Sequence, residues 1–241
     1  MDERERRARS FGGVAAAYER ARPEYPREAV EWLVQDARVV VDLGAGTGKL
    51  TRGVVALGHD VVAVEPSEAM AARLRAAVPE ARVLVGSAEE IPLPDASADA
   101  VVAGQAYHWF DPPRALPEIA RVLRPASTLG LVWNKRDVRT PWVARLTELV
   151  AGSEDWHERQ PASVPASGIF GELEEALFRH EQRLDRQALL DLALSSSSVA
   201  VGDASARAEV LNRVGRLYDE VAGDDGIVLP YVTLAYRASR R

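Results

Sequence analysis

Cysteine is absent from the 241 residues of this chain, and lysine is scarce, with Lys49 and Lys135 as the two lysines among 30 cationic residues. Without cysteine the protein has no disulfide, no thiolate metal ligand and no cysteine nucleophile. Aromatic residues make up 6% of the chain, whereas 47% of its residues are hydrophobic. A chain of this length and composition has enough apolar surface to form a core without covalent cross-links.

Neither an excess of positive charge nor a long apolar run is present. The 30 Lys and Arg residues stand against 36 Asp and Glu, which gives a net charge of −6 and predicts no nucleic-acid partner. No uncharged apolar run approaches the about 20 residues of a membrane span. The charged residues 1–7 are not followed by the apolar stretch of a secretory signal. We therefore expect a cytoplasmic protein without a membrane partner.

Short apolar runs alternate with amphipathic segments in the first half of the chain. Runs of this length, rich in β-branched residues, are typical of buried parallel strands. They lie at residues 39–43, 60–65, 82–86, 98–103 and 128–133. Helical spacing is found at residues 11–21, 27–36, 49–57, 67–78 and 113–123. Alternating strands and helices predict an α/β fold, a doubly wound parallel sheet with helices on both faces.

The second half of the chain predicts two more strands, at residues 177–184 and 227–236, and helices at residues 186–194 and 204–221. Residues 155–171 are rich in Pro, Ser and charge, so we expect a loop, a lid or a partly disordered insertion there.

We find no internal repeat and expect a single domain over residues 1–241. Within it we expect N-terminal helices and a lid (1–36), a cofactor-binding core (37–135), and a substrate-side insertion with the last two strands (136–241).

A glycine-rich loop, Gly44–Gly48, joins the first predicted strand to the next helix. Its glycines allow positive φ and a close approach to a ligand, and the helix N-terminus offers N–H groups to an anion. The G-x-G-x-G spacing departs from the dinucleotide fingerprint because Lys49 stands where Gly or Ala is needed. It also fails the phosphate-binding Walker pattern, since Leu50 follows Lys49. Glu65, at the end of the second strand, is placed to accept both hydroxyls of a ribose.

Four blocks of sequence, at residues 41–48, 65–70, 86–94 and 97–101, resemble the class I S-adenosylmethionine-dependent methyltransferases with a methyltransferase type 11 domain. The resemblance covers roughly residues 10–135. It implies a Rossmann-like, seven-stranded, mostly parallel sheet whose last strand is antiparallel. It also implies that S-adenosyl-L-methionine lies across the carboxyl ends of the strands.

The resemblance further implies which residues contact this cofactor. Asp42 and the Gly44–Gly48 backbone are expected to face its methionine part, Glu65 its ribose, and Met70 the face of its adenine. Ser87 stands where many relatives have Asp, so its contact with the adenine would be uncharged. The expected cofactor-binding set is Asp42, Gly44, Ala45, Gly46, Thr47, Gly48, Glu65, Pro66, Met70, Ser87, Ala88, Glu89 and Gln105.

Residues 104–111 follow the fourth strand and contain an aromatic cluster with one histidine, where a transferred methyl group would emerge. The Asn/Asp-Pro-Pro-aromatic motif of DNA amino-methyltransferases is absent. Together with residues 18–26, 131–134 and 229–237, this run resembles the trans-aconitate-type branch, which acts on small molecules.

His108 is the candidate catalytic residue, either as a base for a hydroxyl or as a hydrogen-bond donor to a carboxylate. The alternative is that it packs against Trp109 and shapes the pocket. Arg22 and Arg136 are candidates to bind an acidic group. No metal site is predicted, because the other histidines have no ligand spacing. The expected substrate-binding set is Tyr18, Arg22, His108, Trp109, Trp133 and Arg136.

The sequence thus predicts methyl transfer from S-adenosylmethionine to the carboxylate or hydroxyl of a small molecule. Two alternatives stay open. A nicotinamide-dependent oxidoreductase is disfavoured by Lys49 and by the block at residues 86–94. A protein that binds S-adenosylmethionine without catalysis would share the same fold and motifs. The sequence leaves the identity of the acceptor and the oligomeric state open.

Overall fold

The structure is a computed structural model that describes residues 21–150, 161–196, 199 and 203–241. These residues form a seven-stranded sheet with the order β3-β2-β1-β4-β5-β7-β6. The strands are β1 (Val39–Leu43), β2 (Asp60–Glu65), β3 (Arg82–Val85), β4 (Ala98–Gly104), β5 (Leu123–Arg136), β6 (Glu174–Leu184) and β7 (Ile227–Ser239).

Most of the sheet is parallel, with parallel pairing of β1 to β2, β1 to β4, β2 to β3 and β4 to β5. The last strand runs the other way. Arg240 N–H donates to the Ser127 carbonyl at 2.8 Å, and Asp137 N–H donates to the Pro230 carbonyl at 2.9 Å. The partners therefore move backward along the β7 segment as β5 is followed forward, which makes the pair antiparallel. The predicted doubly wound, mostly parallel sheet with an antiparallel last strand is confirmed.

Most helices of the described residues begin and end within two residues of the predicted positions, and two of them have no predicted counterpart. They are α1 (Arg27–Val34), α2 (Lys49–Ala56), α3 (Glu68–Ala77), α4 (Pro112–Val122), α5 (Pro141–Val150), α6 (Ser163–Ala166), α7 (Arg186–Leu194) and α8 (Ala204–Val221). A 3₁₀ turn covers Tyr107–Trp109. The predicted helix at residues 11–21 lies almost entirely outside the described residues.

Strand alternation places a hydrophobic core on each face of the sheet. In β1, Val41 and Leu43 contribute to one cluster, and Val40 contributes to the other. Successive side chains of a strand point to opposite faces, so a strand covered on both sides is apolar at nearly every position. Helix α4 covers the first cluster through Leu116 and Ile119. Helices α1, α2 and α3 cover the second, which confirms helices on both faces.

The described residues fall into two compact units. The larger takes in residues 24–134, 161–178 and 233–241, with both of these core clusters. The smaller takes in residues 21–23, 135–150, 179–196, 199 and 203–232. A third cluster, formed largely by α5, α7 and α8, is the core of the smaller unit. The expectation of one domain over the chain stays a prediction.

The structure differs from the sequence prediction in three segments. β5 begins at Leu123 rather than at residue 128, because the fully buried Leu123 pairs with Ala98 across a shift of register between Ala98 and Ala100 of β4. α5 is a helix that we did not predict from the sequence. Residues 161–171, which we expected to form a loop, a lid or a partly disordered insertion, contain α6 and the fully buried Phe170.

Candidate active site

The glycine loop between β1 and α2 adopts the left-handed backbone that its glycines allow. Gly44, Gly46 and Gly48 have φ of 65°, 58° and 92°. A Cβ at Gly44 would lie 2.7 Å from the Ala106 Cβ, and one at Gly48 would lie 2.1 Å from Leu74 Cδ1. Two of the glycines are therefore required by both conformation and packing within the protein.

Gly46 differs from its neighbours because the space beside it is open. A Cβ built there meets nothing within 4 Å. Thr47, the next residue, is buried, and its Oγ1 has no hydrogen-bond partner among the described residues. An open approach to the backbone beside an unsatisfied polar atom is a feature of a ligand-binding loop rather than of a packed turn.

Glu65 connects the end of β2 to this loop. Its Oε2 accepts a hydrogen bond from the Gly46 N–H at 2.8 Å, and its Oε1 accepts one from the Ser67 N–H at 2.9 Å. Burial raises the pKa of the Glu65 carboxyl, and the two backbone N–H groups oppose this rise. A carboxylate has about four lone-pair positions, so each oxygen keeps the capacity to accept one further hydrogen bond.

Asp42 is fully buried at the other end of the loop. Its Oδ2 accepts a hydrogen bond from Thr51 Oγ1 at 2.6 Å, which ties β1 to α2 across the loop, and its Oδ1 has no partner among the described residues. Burial raises the pKa of Asp42 to about 7, the Thr51 bond opposes the rise, and the Glu65 charge adds to it. Asp42 supports the loop from inside, so its direct contact with a ligand stays a prediction.

The segment after β3 forms a tight turn. Ser87 and Glu90 make an isolated antiparallel bridge, and Ser87 Oγ accepts a hydrogen bond from the Glu89 N–H at 3.3 Å. Ala88 is buried, and the Glu89 carboxylate accepts from the Asp111 N–H at 2.9 Å. The turn is thereby fixed to the segment that leads into α4.

Pro66 and Met70 lie just beyond β2. Pro66 is exposed and Met70 is half-buried. Ser67 caps α3 by accepting a hydrogen bond from the Met70 N–H, as the sequence predicts. Met70 lies outside the buried core clusters of the larger unit.

Gln105 follows β4 in a left-handed conformation, with φ of 53°. Its N–H donates to the Val132 carbonyl at 2.9 Å, and its Nε2 donates to the Asn134 carbonyl at 3.0 Å. A non-glycine residue in this region is strained and persists because its surroundings hold it. Gln105 therefore fixes the crossing from β4 into the 3₁₀ turn against the end of β5.

His108 and Trp109 lie together in the 3₁₀ turn, with ring centroids 4.7 Å apart and planes at 45°. Both side chains are half-buried, whereas the neighbouring Tyr107 is fully buried. Trp133 is also fully buried and packs edge-on against Tyr236 at 6.0 Å. Trp133 thus belongs to the core cluster of the larger unit, and its contact with a substrate stays a prediction.

The described part of the predicted N-terminal lid begins at residue 21. The Glu24 carboxylate pairs with Lys49 Nζ at 3.1 Å, and the Glu24 carbonyl accepts from Asn134 Nδ2 at 3.1 Å. A Cβ at Gly104 would lie 2.7 Å from Tyr25 Oη. Residues 24–25 therefore lie against the carboxyl end of β4. Tyr18 lies outside the described residues.

The other two predicted substrate residues, Arg22 and Arg136, belong to the smaller unit. Arg22 donates from Nε to Ser195 Oγ at 2.9 Å and from Nη2 to the Ser195 carbonyl at 3.1 Å. Burial lowers the pKa of Arg136 to about 10, where Tyr231 opposes the change and Arg22 adds to it.

Two buried polar residues, Thr51 and Tyr231, are absent from the site residues predicted from the sequence. Thr51 falls on the inward face of α2 one turn after Gly48, a position where a polar residue predicts a buried hydrogen bond. Tyr231 lies on the same buried face of β7 as Leu229 and Thr233, two residues away on either side. The period-two spacing of a strand could have predicted that its side chain is buried.

Within the part of the chain that the structure describes, no three His, Asp or Glu residues are grouped so as to hold a metal ion. None of the helices among these residues has the length and apolar composition to cross a membrane.

Comparison with known proteins identifies the family. Residues 41–131 match the family model of a methyltransferase domain. The chain is 47% identical over 234 residues to an uncharacterised methyltransferase of Mycobacterium tuberculosis, across 95% of both proteins. It is 38% identical over 201 residues to an uncharacterised methyltransferase of Schizosaccharomyces pombe, across 79% of this chain and 80% of that one.

A solved structure from Anaeromyxobacter dehalogenans, provisionally assigned as a type II methyltransferase, is also similar. It has a TM-score of 0.66 and 26% identity, and the match covers 91% of this chain and 97% of that one. Its fold agrees with the sheet described above. The sequence matches, the strand order and the glycine loop joined to Glu65 lead to one conclusion: the chain belongs to the class I S-adenosylmethionine-dependent methyltransferases.

Proposed function

We propose that this chain binds S-adenosylmethionine at the glycine loop and Glu65 and directs its methyl group to the carboxylate or hydroxyl of a small molecule. The observation that carries the proposal is the hydrogen bond from Gly46 N–H to Glu65 Oε2 at 2.8 Å. It brings the loop and the acid into one site at the carboxyl ends of β1 and β2, which is where open α/β sheets bind nucleotide-like ligands.

The residues present fit this cofactor. Gly46 leaves open space at the loop, and each Glu65 oxygen can accept one more hydrogen bond, which matches the two hydroxyls of a ribose. Thr47 Oγ1 is a further polar atom without a partner among the described residues. The Gly44–Gly48 backbone would hold the methionine part, with Asp42 supporting it from within.

The adenine would lie between the residues after β2 and the turn after β3. Met70 is half-buried and offers a polarisable side chain to the adenine face. Ala88 and Glu89 would line the adenine edge, with Pro66 and Ser87 beside it. Ser87 Oγ already accepts from the Glu89 N–H, so its remaining hydrogen-bonding capacity serves the adenine.

The chain's own contribution to transfer is alignment and exclusion of water. When bound, S-adenosylmethionine supplies an activated methyl group on a positively charged sulfur. Gln105 fixes the backbone after β4 and would place the 3₁₀ turn beside that group. His108 and Trp109 would hold the acceptor with an oxygen facing that methyl group, and the bound cofactor would supply an in-line displacement in which the methyl–sulfur bond breaks as the methyl–oxygen bond forms. Trp133 and Tyr18 belong to the same proposed acceptor set.

The acceptor decides what His108 must do. A carboxylate is already ionised at neutral pH and loses no proton on methylation. A hydroxyl loses one, and His108 would then remove it as a general base. The resemblance to the trans-aconitate-type branch favours the carboxylate, so we assign His108 the role of a hydrogen-bond donor that orients the acceptor.

Labelled methyl transfer tests the proposal directly. The full chain is incubated with S-adenosylmethionine carrying a labelled methyl group and a library of small carboxylic acids and alcohols. We expect label in at least one acceptor, and much less label when the Glu65→Ala variant replaces the parent at a limiting concentration of the cofactor. Cofactor binding without transfer to any acceptor would instead indicate a non-catalytic binding protein.

A further inference from the structure

Tyr231 holds a buried hydroxyl that lies beside the guanidinium of Arg136. The residue lies on β7, is 4% exposed, and stacks on the His180 ring with centroids 5.3 Å apart and planes at 18°. Among the described residues no group forms a hydrogen bond of ordinary geometry with its Oη. Buried hydroxyls are nearly always hydrogen-bonded, so an exception of this kind indicates a missing ligand group.

Arg136 lies next to this hydroxyl. Burial raises the pKa of Tyr231, and the charge of Arg136 together with a weak hydrogen bond between the two side chains opposes that rise. No Asp or Glu among the described residues forms an ion pair with Arg136. The adjacent acid, Asp137, is held by Arg139, whose Nε lies 2.7 Å from Asp137 Oδ1. A buried guanidinium without an acidic partner requires an anion or several hydrogen bonds.

Arg22 adds a second positive charge to the same place. Two hydrogen bonds to Ser195 hold its side chain, and the Ser195 Oγ in turn donates to the Leu192 carbonyl at 2.7 Å. Its charge lowers the pKa of both Arg136 and Tyr231, and burial is the larger influence on each. All these residues belong to the smaller unit, so the arrangement is independent of the cofactor residues.

We propose that Arg136, Arg22 and Tyr231 form a binding site for a carboxylate group of a small organic acid. The guanidinium fork of Arg136 fits the two oxygens of a planar carboxylate, and the Tyr231 hydroxyl donates to one of them. The anion offsets the repulsion between the two arginines and satisfies the buried hydroxyl. That this acid is the methyl acceptor rests on the proposed function, whereas the binding of the carboxylate does not.

Calorimetry on the full chain tests the site without methyl transfer. The probes are propane-1,2,3-tricarboxylate, succinate and benzoate, with propane-1,2,3-tricarboxylate trimethyl ester as the uncharged control and inorganic phosphate as the alternative anion. We expect at least one acid to bind and to bind more tightly than the ester and phosphate. Failure of all three acids to bind, or equal binding of ester and acid, would overturn the proposal.

Two variants localise the binding. Arg136→Gln and Tyr231→Phe should each weaken the affinity for the acid by about tenfold, because each removes a hydrogen bond to a charged group. Arg216→Gln removes an exposed arginine of α8 in the same unit and should leave the affinity unchanged. Unchanged affinity in both site variants would place the acid elsewhere.

Tyr231→Phe also separates ligand binding from a structural role. Since the Tyr231 hydroxyl forms no hydrogen bond of ordinary geometry within the described residues, its removal should leave the melting temperature nearly unchanged. A fall in melting temperature with unchanged acid binding would show that the hydroxyl serves the fold.

The carboxylate of the cofactor is the alternative source of the anion. S-adenosylhomocysteine should bind Arg136→Gln as tightly as the parent, and a tenfold loss would assign the site to the cofactor and contradict an acceptor site. An acid that binds here but never receives a methyl group would contradict the proposed function and leave the carboxylate site standing.

Discussion

Glu65 accepts a hydrogen bond from the Gly46 N–H at 2.8 Å, so the acid that ends β2 is joined to the middle of the glycine loop. The same carboxylate accepts from the Ser67 N–H, which precedes α3. One side chain thus fixes the loop after β1 and the start of the helix after β2. The proposed cofactor site depends on this connection more than on any other contact.

Replacement of Glu65 by Ala should abolish tight cofactor binding. The change removes two charge-assisted hydrogen bonds to the ribose, each worth about 1.5–3 kcal/mol as an upper range. We therefore expect the affinity for S-adenosylhomocysteine, measured by calorimetry, to fall by at least about tenfold. Circular dichroism controls for folding, and unchanged affinity in a folded variant would place the ribose elsewhere.

Gly46 and Gly58 provide a matched pair of glycine variants. Both have positive φ, 58° and 90°, and a Cβ at either meets nothing within 4 Å. Gly46→Ala and Gly58→Ala should therefore each lose about 1–2 kcal/mol of unfolding free energy, as expected for a left-handed alanine. Because Gly46 faces the proposed ligand and Gly58 ends the turn after α2, only Gly46→Ala should also lose cofactor affinity. Equal cofactor affinity in the two variants would show that the open space at Gly46 is not used.

Asp42 should make the protein less stable as the pH rises from about 4 to about 7. Burial raises its pKa from 3.8 to about 7, so in this range the native state holds a proton that the unfolded chain releases. The contribution of this proton to the free energy of unfolding is fully present below pH 3.8 and is lost as the pH passes 7. It amounts to a few kcal/mol, because the pKa of Asp42 differs between the folded and unfolded states by about three.

The Asp42→Asn variant lacks this proton and should keep its stability over that interval. Urea unfolding at pH 5 and pH 8 measures the difference. Asp99→Asn is the control: bonds from the Val39 N–H and Arg124 outweigh burial and lower the pKa of Asp99, so its titration lies below this interval and the variant should keep the parent's slope between pH 5 and pH 8. Identical pH slopes for Asp42→Asn and the parent would mean that Asp42 stays ionised in the folded protein.

His108 distinguishes the two classes of acceptor. If the acceptor is a carboxylate, as we propose, His108→Gln should keep much of the turnover, and the rate should not follow the titration of an imidazole between about pH 5 and 8. If the acceptor is a hydroxyl, His108→Ala should cost roughly 10²–10⁴-fold in turnover with cofactor affinity unchanged. A pH–rate profile measured with the identified acceptor settles which holds. Parent-like rates in both variants at every pH would leave His108 as a packing residue.

The sequence predicted the elements whose pattern is local. β2 and helices α7 and α8 begin and end at the predicted residues. Their patterns, a short apolar run for the strand and a capping residue such as Asp203 for a helix, involve residues that are close in the sequence. β5 could not be predicted in full, since exposed residues separate the buried Leu123 from the rest of the strand, and Leu123 pairs only because β4 lies beside it. α5 starts at Pro141 and was missed because its apolar face, Val143, Leu146 and Val150, is short.

The candidate site was predictable to the extent that its residues share one motif. The glycine loop and Glu65 stand in the order and spacing of a known family, so their proximity could be anticipated. The Asp42–Thr51 bond and the group formed by Arg22, Arg136 and Tyr231 bring together residues from separate elements. Sequence spacing carries no signal for such pairs, because the fold alone decides which side chains meet.

Calorimetry with two ligands tests whether the glycine loop and Glu65 bind S-adenosylmethionine rather than a nicotinamide dinucleotide. The full chain is titrated with S-adenosylhomocysteine and, separately, with NAD. The account predicts that S-adenosylhomocysteine binds at one site and that NAD binds far more weakly or not at all, because Lys49 replaces the small residue that a dinucleotide needs. Tighter binding of NAD than of S-adenosylhomocysteine would contradict the proposed function.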